Sequence, residues 1–212
     1  LRGIAFSHDP LTFTVQVAVL AAWWVFAAAF LFRNSQKKVI APGKVEQRDP
    51  GALAGVLLQG LGYATIWFVP RLPEASLLPV GSTVSTALMV CAPVIAFLSV
   101  WLVMSAIRAL GKQWAVNARL LEGHALITSG PFSLMRHPIY AGMLGMLLAT
   151  GMVVSEAWGL ALALAFFLGG LAIRVRAEER LLARAFGPAF EEYRRAVPAV
   201  FPFVFRSGET RR

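Results

Sequence analysis

Between Lys112 and Arg195 the chain gathers polar side chains beside strongly apolar stretches: Asn117, His124, Arg136, His137, Tyr140, Arg174, Glu178 and Glu179. Ionisable groups at the edge of a membrane core are costly unless paired or hydrated, so such a gathering points to function. His137-Pro138 reads as the start of a helix, because proline at the first helical position loses only an N–H that would be unpaired anyway. His137 and Tyr140 then share the first turn. Free N–H groups and the positive end of the helix dipole collect at the same place, which suits an anionic or hydrogen-bonding ligand. The plainer reading is that His137 caps the helix and Tyr140 anchors it at the interface. Arg174 and Glu178 are four apart and share a helical face, as a ligand-binding pair or as an ordinary intrahelical ion pair. Glu179 points about 100° away from Glu178 and is free to pair with Arg176 or Arg136 instead.

The elements that must position these groups are apolar. Of 212 residues, 58% are hydrophobic and only 15% charged. Soluble domains are nearer half apolar and about 25% charged. The charges cluster between long uncharged stretches, which is a membrane-protein distribution. The expected fold is an all-α integral membrane protein, one membrane domain over 1–212, with about five transmembrane helices. The spans are placed at 11–32, 51–69, 84–107, 138–154 and 157–174. Pro93 falls inside the third and should kink it. The last two are short, about 25 Å each at 1.5 Å per residue. Ser155 and Glu156 separate them, so they are expected to form a tight helical hairpin. Ala141, Gly145 and Ala149 share one face at four-residue spacing, as do Ala161, Ala165 and Gly169, and small faces let helices approach in lipid.

The formal net charge is +9. Arg33, Lys37, Lys38, Lys44 and Arg48 lie in the first loop; Arg108, Lys112, Arg119 and Arg136 lie around the third; the tail from Arg174 onward is rich in arginine. Only Arg2 and Arg71 fall on the opposite side. The positive-inside rule places the first loop, third loop and tail in the cytoplasm and the N-terminus outside. Because the basic residues flank spans, headgroup contact and topology explain them and nucleic acid is not expected as a partner. The first apolar segment is too long for a signal peptide, and its basic flank follows rather than precedes it. Cys91, the single cysteine, offers no intrachain disulfide and no cysteine cluster, and no metal site is expected. Glu191, Glu192, Arg194 and Arg195 read as a solvated face of an interfacial helix. Phe201, Phe203 and Phe205, near Pro198 and Pro202, suit the interface itself.

Taken in order, these residues carry a resemblance. Gly130-Pro131-Phe132 followed by Arg136-His137-Pro138-Ile139-Tyr140-Ala141-Gly142 resembles the signature of the isoprenylcysteine carboxyl methyltransferase family, shared by the similar phospholipid methyltransferases. Arg174, Glu178-Glu179, Leu182, Phe186-Gly187, Tyr193 and Pro198 continue the pattern downstream. Leu110-Gly111, Trp114 and His124-Ala125-Leu126-Ile127 continue it upstream. The resemblance covers 110–203 and implies a cytoplasmic pocket for S-adenosyl-L-methionine, roofed by the C-terminal segment, with S-adenosyl-L-homocysteine as product. It implies cofactor contacts from His124, Ala125, Leu126 and Ile127, from Phe132 (where the family usually has tyrosine), from His137, Pro138, Ile139 and Tyr140, and from the acid Glu178. Asn117 stands where some members have a glutamine contact. Arg174 matches the residue that holds the substrate and serves transfer.

The chemistry fits those roles. Methyl transfer from a sulfonium is an in-line displacement that needs alignment more than acid–base work. A carboxylate nucleophile is already ionised near neutral pH. Arg174 offers it two hydrogen bonds, and Glu178 suits the cofactor's ammonium or offsets its positive charge. The expected activity is carboxyl O-methylation of an isoprenylcysteine-type, lipidated or amphiphilic acceptor held in the bilayer. The alternatives are phospholipid amine or small-thiol methylation, a nicotinamide-dependent sterol-reductase-like activity, which usually needs more spans, and non-catalytic lipid binding.

Overall fold

The computed structural model of the chain describes residues 9–39, 45–48, 51–70, 82–111, 119–121 and 125–200. Six α-helices account for most of them: α1 (Pro10–Val39), α2 (Ala52–Phe68), α3 (Ser82–Leu110), α4 (Pro138–Val154), α5 (Ala157–Phe186) and α6 (Pro188–Ala196). A short ribbon of β1 (Val45–Arg48) and β2 (Arg119–Leu121), and a 3-10 turn at Gly130–Ser133, complete the regular structure.

Local chemistry sets the ends of these helices. The Asp9 carboxylate accepts both the backbone N–H and the hydroxyl of Thr12, 2.8 Å each, at the start of α1. Pro138 occupies the first position of α4, and Pro188 does the same for α6. Gly187, at φ 49°, closes α5 in a conformation that side chains resist. As a result α5 continues beyond the apolar span expected to end at 174, and carries Arg174, Glu178 and Glu179 on one unbroken rod of 30 residues. Pro93 lies inside α3, which runs through it.

Three helices contain segments long and apolar enough to cross a membrane: Pro10–Ala28, Thr86–Leu110 and Ala157–Phe186. α2 and α4 are shorter apolar helices of 17 residues. The outer faces fit a lipid environment. Trp24, Leu57, Trp101 and Trp158 are all exposed, while Val19, Ile66, Val103, Leu147 and Phe167 pack inside.

The helix directions alternate. β1 pairs antiparallel with β2, which joins the connection after α1 to the connection after α3 at one end of the bundle. At the other end Pro70 bridges to Ser155, joining the connection after α2 to the turn between α4 and α5. The ribbon was not expected from the sequence. It places the two basic connections on the same side, in keeping with the charge distribution.

The expected tight hairpin of α4 with α5 needs correction. The two helices touch, with Gly151 set against Leu160, but α5 packs chiefly on α2 and α4 chiefly on α3. A Cβ on Gly170 would sit 2.6 Å from the Gly55 carbonyl oxygen and 2.9 Å from the Gln59 nitrogen. On Gly62 it would sit 2.8 Å from the Ala163 carbonyl oxygen. Gly142 and Gly145 press on Ser99 and Val103 of α3 in the same way. The small face expected on α5 (Ala161, Ala165, Gly169) is exposed. The face that permits close approach is Gly159, Ala163 and Gly170, on a different side of the helix.

Candidate functional site

The site is assembled where the start of α4 meets the polar half of α5. Gly130 takes φ 61° to begin the 3-10 turn, which Ser133 closes by donating its hydroxyl to the Gly130 carbonyl at 2.7 Å. The chain then leads into α4, and the N–H groups of Arg136 and His137 donate to the carbonyls of Pro198 and Ala199 at 2.9 and 2.8 Å. The C-terminal segment therefore lies over the start of α4. Tyr193, on α6, donates to the Phe132 carbonyl at 2.6 Å and packs edge-on against the fully buried Phe190. Burial pushes the Tyr193 hydroxyl up to about 12, although the Arg136 charge pulls the other way.

Two acids organise the centre. Glu179 accepts Nε and a terminal nitrogen of Arg136 at 2.9 and 2.7 Å and faces His137 Nε2 at 3.2 Å. Arg136 also donates to the carbonyls of Arg194 and Val197, so Glu179 and Arg136 together bind α4, α5 and the C-terminal segment into one unit. Glu178 accepts the Tyr140 hydroxyl and lies 3.4 Å from His137 Nδ1 and 3.9 Å from Arg174. The His137 and Tyr140 rings stack at 5.7 Å and 16°. The Arg174 guanidinium lies 4.6 Å above the Tyr140 ring, a cation–π arrangement. Arg174 also donates to Gln59 Oε1 on α2 at 3.0 Å.

His137 stands at the N-cap of α4, and its carbonyl accepts the N–H groups of Tyr140 and Ala141 at 3.1 and 3.2 Å; its side chain makes no capping bond, and the ring is used on the two acids. Burial works against a charged imidazole there, but the hydrogen bonds and charges of Glu178 and Glu179 outweigh it and hold His137 above its ordinary value. Glu178 is the more open acid, its side chain 27% exposed against 16% for Glu179. A carboxylate has about four lone-pair sites, so the Tyr140 and His137 contacts leave room on Glu178 for a further donor. Glu179, with three donors on one oxygen, is structural. A partly open carboxylate beside two aromatic rings fits the ammonium end of an amino-acid-bearing sulfonium, so the residues present suit S-adenosylmethionine.

Comparison with known proteins covers the segment that carries this arrangement. Residues 87–189 match the family described as phospholipid methyltransferase. That segment, just under half of the chain, is similar to the phospholipid methyltransferase family. Within the matched segment fall Phe132, the His137–Tyr140 run, Arg174 and both acids. The chain is 46% identical over 94 residues to the cobalt-zinc-cadmium resistance protein CzcN of Cupriavidus metallidurans, covering 43% of each chain. It is 36% identical over 119 residues to the nickel-cobalt-cadmium resistance protein NccN of Alcaligenes xylosoxydans xylosoxydans, covering 54% of this chain and 55% of that one. It is 34% identical over 90 residues to protein-S-isoprenylcysteine O-methyltransferase B of Arabidopsis thaliana, covering 42% and 45%. The matches thus span about half the length of each of these relatives.

Of the residues that the sequence singled out in this segment, the structure links His137, Tyr140, Arg174 and Glu178 into one network, with Tyr140 and Glu178 each touching the other three. Pro138 is buried at the helix start and Ile139 is half-buried beside it. Phe132 is buried below the turn, outside that network. Ala125, Leu126 and Ile127 lie on the irregular stretch leading into the turn, the first exposed and the others half-buried. Asn117 and His124 lie outside the described residues. Gln59 was not anticipated. An amide is costly inside an apolar helix such as α2, and that was the signal available in the sequence.

Proposed function

We propose that the chain is an S-adenosylmethionine-dependent methyltransferase of the membrane, acting on the carboxylate of an isoprenylcysteine-type acceptor. The observation that carries this reading is the meeting of Glu178, His137 and Tyr140 with Arg174, an acid side and a cation side within one cluster. The methyltransferase family of 87–189 and the isoprenylcysteine methyltransferase among the relatives support it.

S-adenosylmethionine supplies an electrophilic methyl group on a sulfonium. Glu178 would hold its ammonium, and the stacked His137 and Tyr140 rings would wall its binding site. Arg174 would present its planar fork to the acceptor carboxylate, whose oxygen forms the new bond as the methyl–sulfur bond breaks. Charge is cancelled in that step, since an anion and a sulfonium become a neutral ester and a thioether. No general base is required, because the carboxylate is ionised beforehand. The lipid tail of the acceptor would remain in hydrocarbon, alongside five membrane-crossing segments, with the site and C-terminus cytoplasmic and the N-terminus external.

The family description favours a second reading, methylation of a phospholipid amine. Two of the relatives are named as metal-resistance proteins, and those names indicate no methyl acceptor. Radiolabelled methyl transfer from S-adenosylmethionine to N-acetyl-S-farnesylcysteine, phosphatidylethanolamine and small thiols decides between acceptors. Base-labile label on the farnesylcysteine supports the carboxylate reading. Base-stable label on the phospholipid replaces it with the second.

A further inference from the structure

Gln59 sits on α2, outside the matched family segment, and is 2% exposed. Its Oε1 accepts a hydrogen bond from Arg174 at 3.0 Å. Arginine carries donors only, so the amide oxygen must be the atom that faces it and the amide nitrogen must face elsewhere. That nitrogen, Nε2, is buried and has no hydrogen-bond partner among the described residues. Both atoms share one amide carbon, so the unmet donor lies beside the Arg174 guanidinium. Buried polar groups in folded proteins are nearly always bonded, and an orphan calls for an explanation.

The backbone goes to some length to place it there. Gly55 and Gly170 face each other across α2 and α5. A Cβ on Gly55 would meet Arg174 Cγ at 2.5 Å and the Gly170 carbonyl oxygen at 2.8 Å. The two glycines thus set the approach that lets a side chain of α2 reach the guanidinium. Without it Gln59 would lie in an apolar helix interface with neither end bonded.

We propose that Gln59 is a second acceptor-binding residue: its Oε1 fixes the Arg174 guanidinium while its Nε2–H donates to an oxygen of the anionic head of the methyl acceptor. The inference rests on the reading of Arg174 as the acceptor clamp and adds to it. Two donors side by side select a head that presents several oxygens over one that presents an N–H. The acceptor then supplies the partner that Nε2 lacks.

The test uses the detergent-solubilised full chain and two equilibrium titrations. One is with S-adenosylhomocysteine alone; the other is with N-acetyl-S-farnesylcysteine in saturating S-adenosylhomocysteine. Gln59→Leu removes both ends of the amide. Gln59→Glu keeps an oxygen for Arg174, so the cluster still closes, but replaces the donor with an acceptor. Hydrogen bonds to charged groups are worth about ten- to hundredfold in affinity. Both variants should therefore bind the farnesylcysteine at least about tenfold more weakly while binding S-adenosylhomocysteine as the wild type does. Recovery of wild-type acceptor affinity in Gln59→Glu would overturn the donor role and leave Gln59 as a prop for Arg174. Equal acceptor affinity in all three proteins would overturn the inference alone. A wild type that fails to bind S-adenosylhomocysteine would overturn the methyltransferase reading and this inference with it.

Discussion

Gly169 and Gly170 are neighbours on α5, and replacing each with alanine is expected to have opposite effects. A Cβ on Gly169 meets nothing within 4 Å. That change gains only the helix preference of alanine over glycine, about 0.8–1 kcal/mol. A Cβ on Gly170 meets the Gly55 carbonyl oxygen at 2.6 Å and the Gln59 nitrogen at 2.9 Å. These are backbone atoms, so relief requires α2 to move away from α5. Overpacking of this kind costs about 1–3 kcal/mol. The helix-preference gain is common to both variants and cancels between them, so Gly170→Ala should be less stable than Gly169→Ala by about 1–3 kcal/mol. Thermal denaturation in detergent, followed by circular dichroism, should show the two midpoints separated by several degrees, with Gly169→Ala at or above the wild type. Because the displaced helix carries Gln59, Gly170→Ala should also lose acceptor methylation at temperatures where it is still folded. If both variants shift equally, or Gly169→Ala is the less stable, the α2–α5 packing described here is wrong.

The remaining predictions concern charge and topology. Glu178→Gln should weaken S-adenosylhomocysteine binding by about ten- to hundredfold, as loss of a charge-assisted hydrogen bond requires. Glu179→Gln should instead lower the denaturation midpoint with a smaller change in affinity, since it loosens Arg136; calorimetry and melting of both variants check the split. His137 is held above its ordinary value of 6.5, so its stabilising contribution is fully present below that value and is lost as pH rises through the raised one. The stability difference between wild type and His137→Gln should accordingly shrink with rising pH, and a difference that grows would reverse the assignment. A cysteine introduced at Ser207 should resist impermeant thiol reagents in intact cells and react after permeabilisation, if the tail is cytoplasmic.

Much of this arrangement can be read from the residues before any coordinates. Pro138 and the Ser155-Glu156 break fix α4 at 138–154, because proline and the loss of apolar character are local signals. Helical geometry turns Glu179 away from Glu178 and leaves both Arg136 and Arg176 within its choice; the structure selects Arg136. Helix neighbours were less legible. Alanine and glycine recur on several faces of α5, so four-residue spacing alone cannot separate the Gly159–Ala163–Gly170 face from the Ala161–Ala165–Gly169 one. Only the fit of Gly55 and Gly62 against α5 decides it. The β1–β2 ribbon escaped notice because VEQR and RLL are too short and too polar to show a strand period. Gln59 required knowing which helix faces Arg174.

The central claim is that the α4–α5 cluster transfers a methyl group to a carboxylate held by Arg174. The most direct measurement compares wild type with Arg174→Lys in single-turnover transfer from radiolabelled S-adenosylmethionine to N-acetyl-S-farnesylcysteine, with S-adenosylhomocysteine binding measured in parallel. Lysine keeps the charge but not the planar fork. The account predicts base-labile label on the farnesylcysteine with wild type, most of that transfer lost in the variant, and S-adenosylhomocysteine affinity preserved. Full transfer by Arg174→Lys at low acceptor concentration, or no carboxyl label with the wild type, would contradict it.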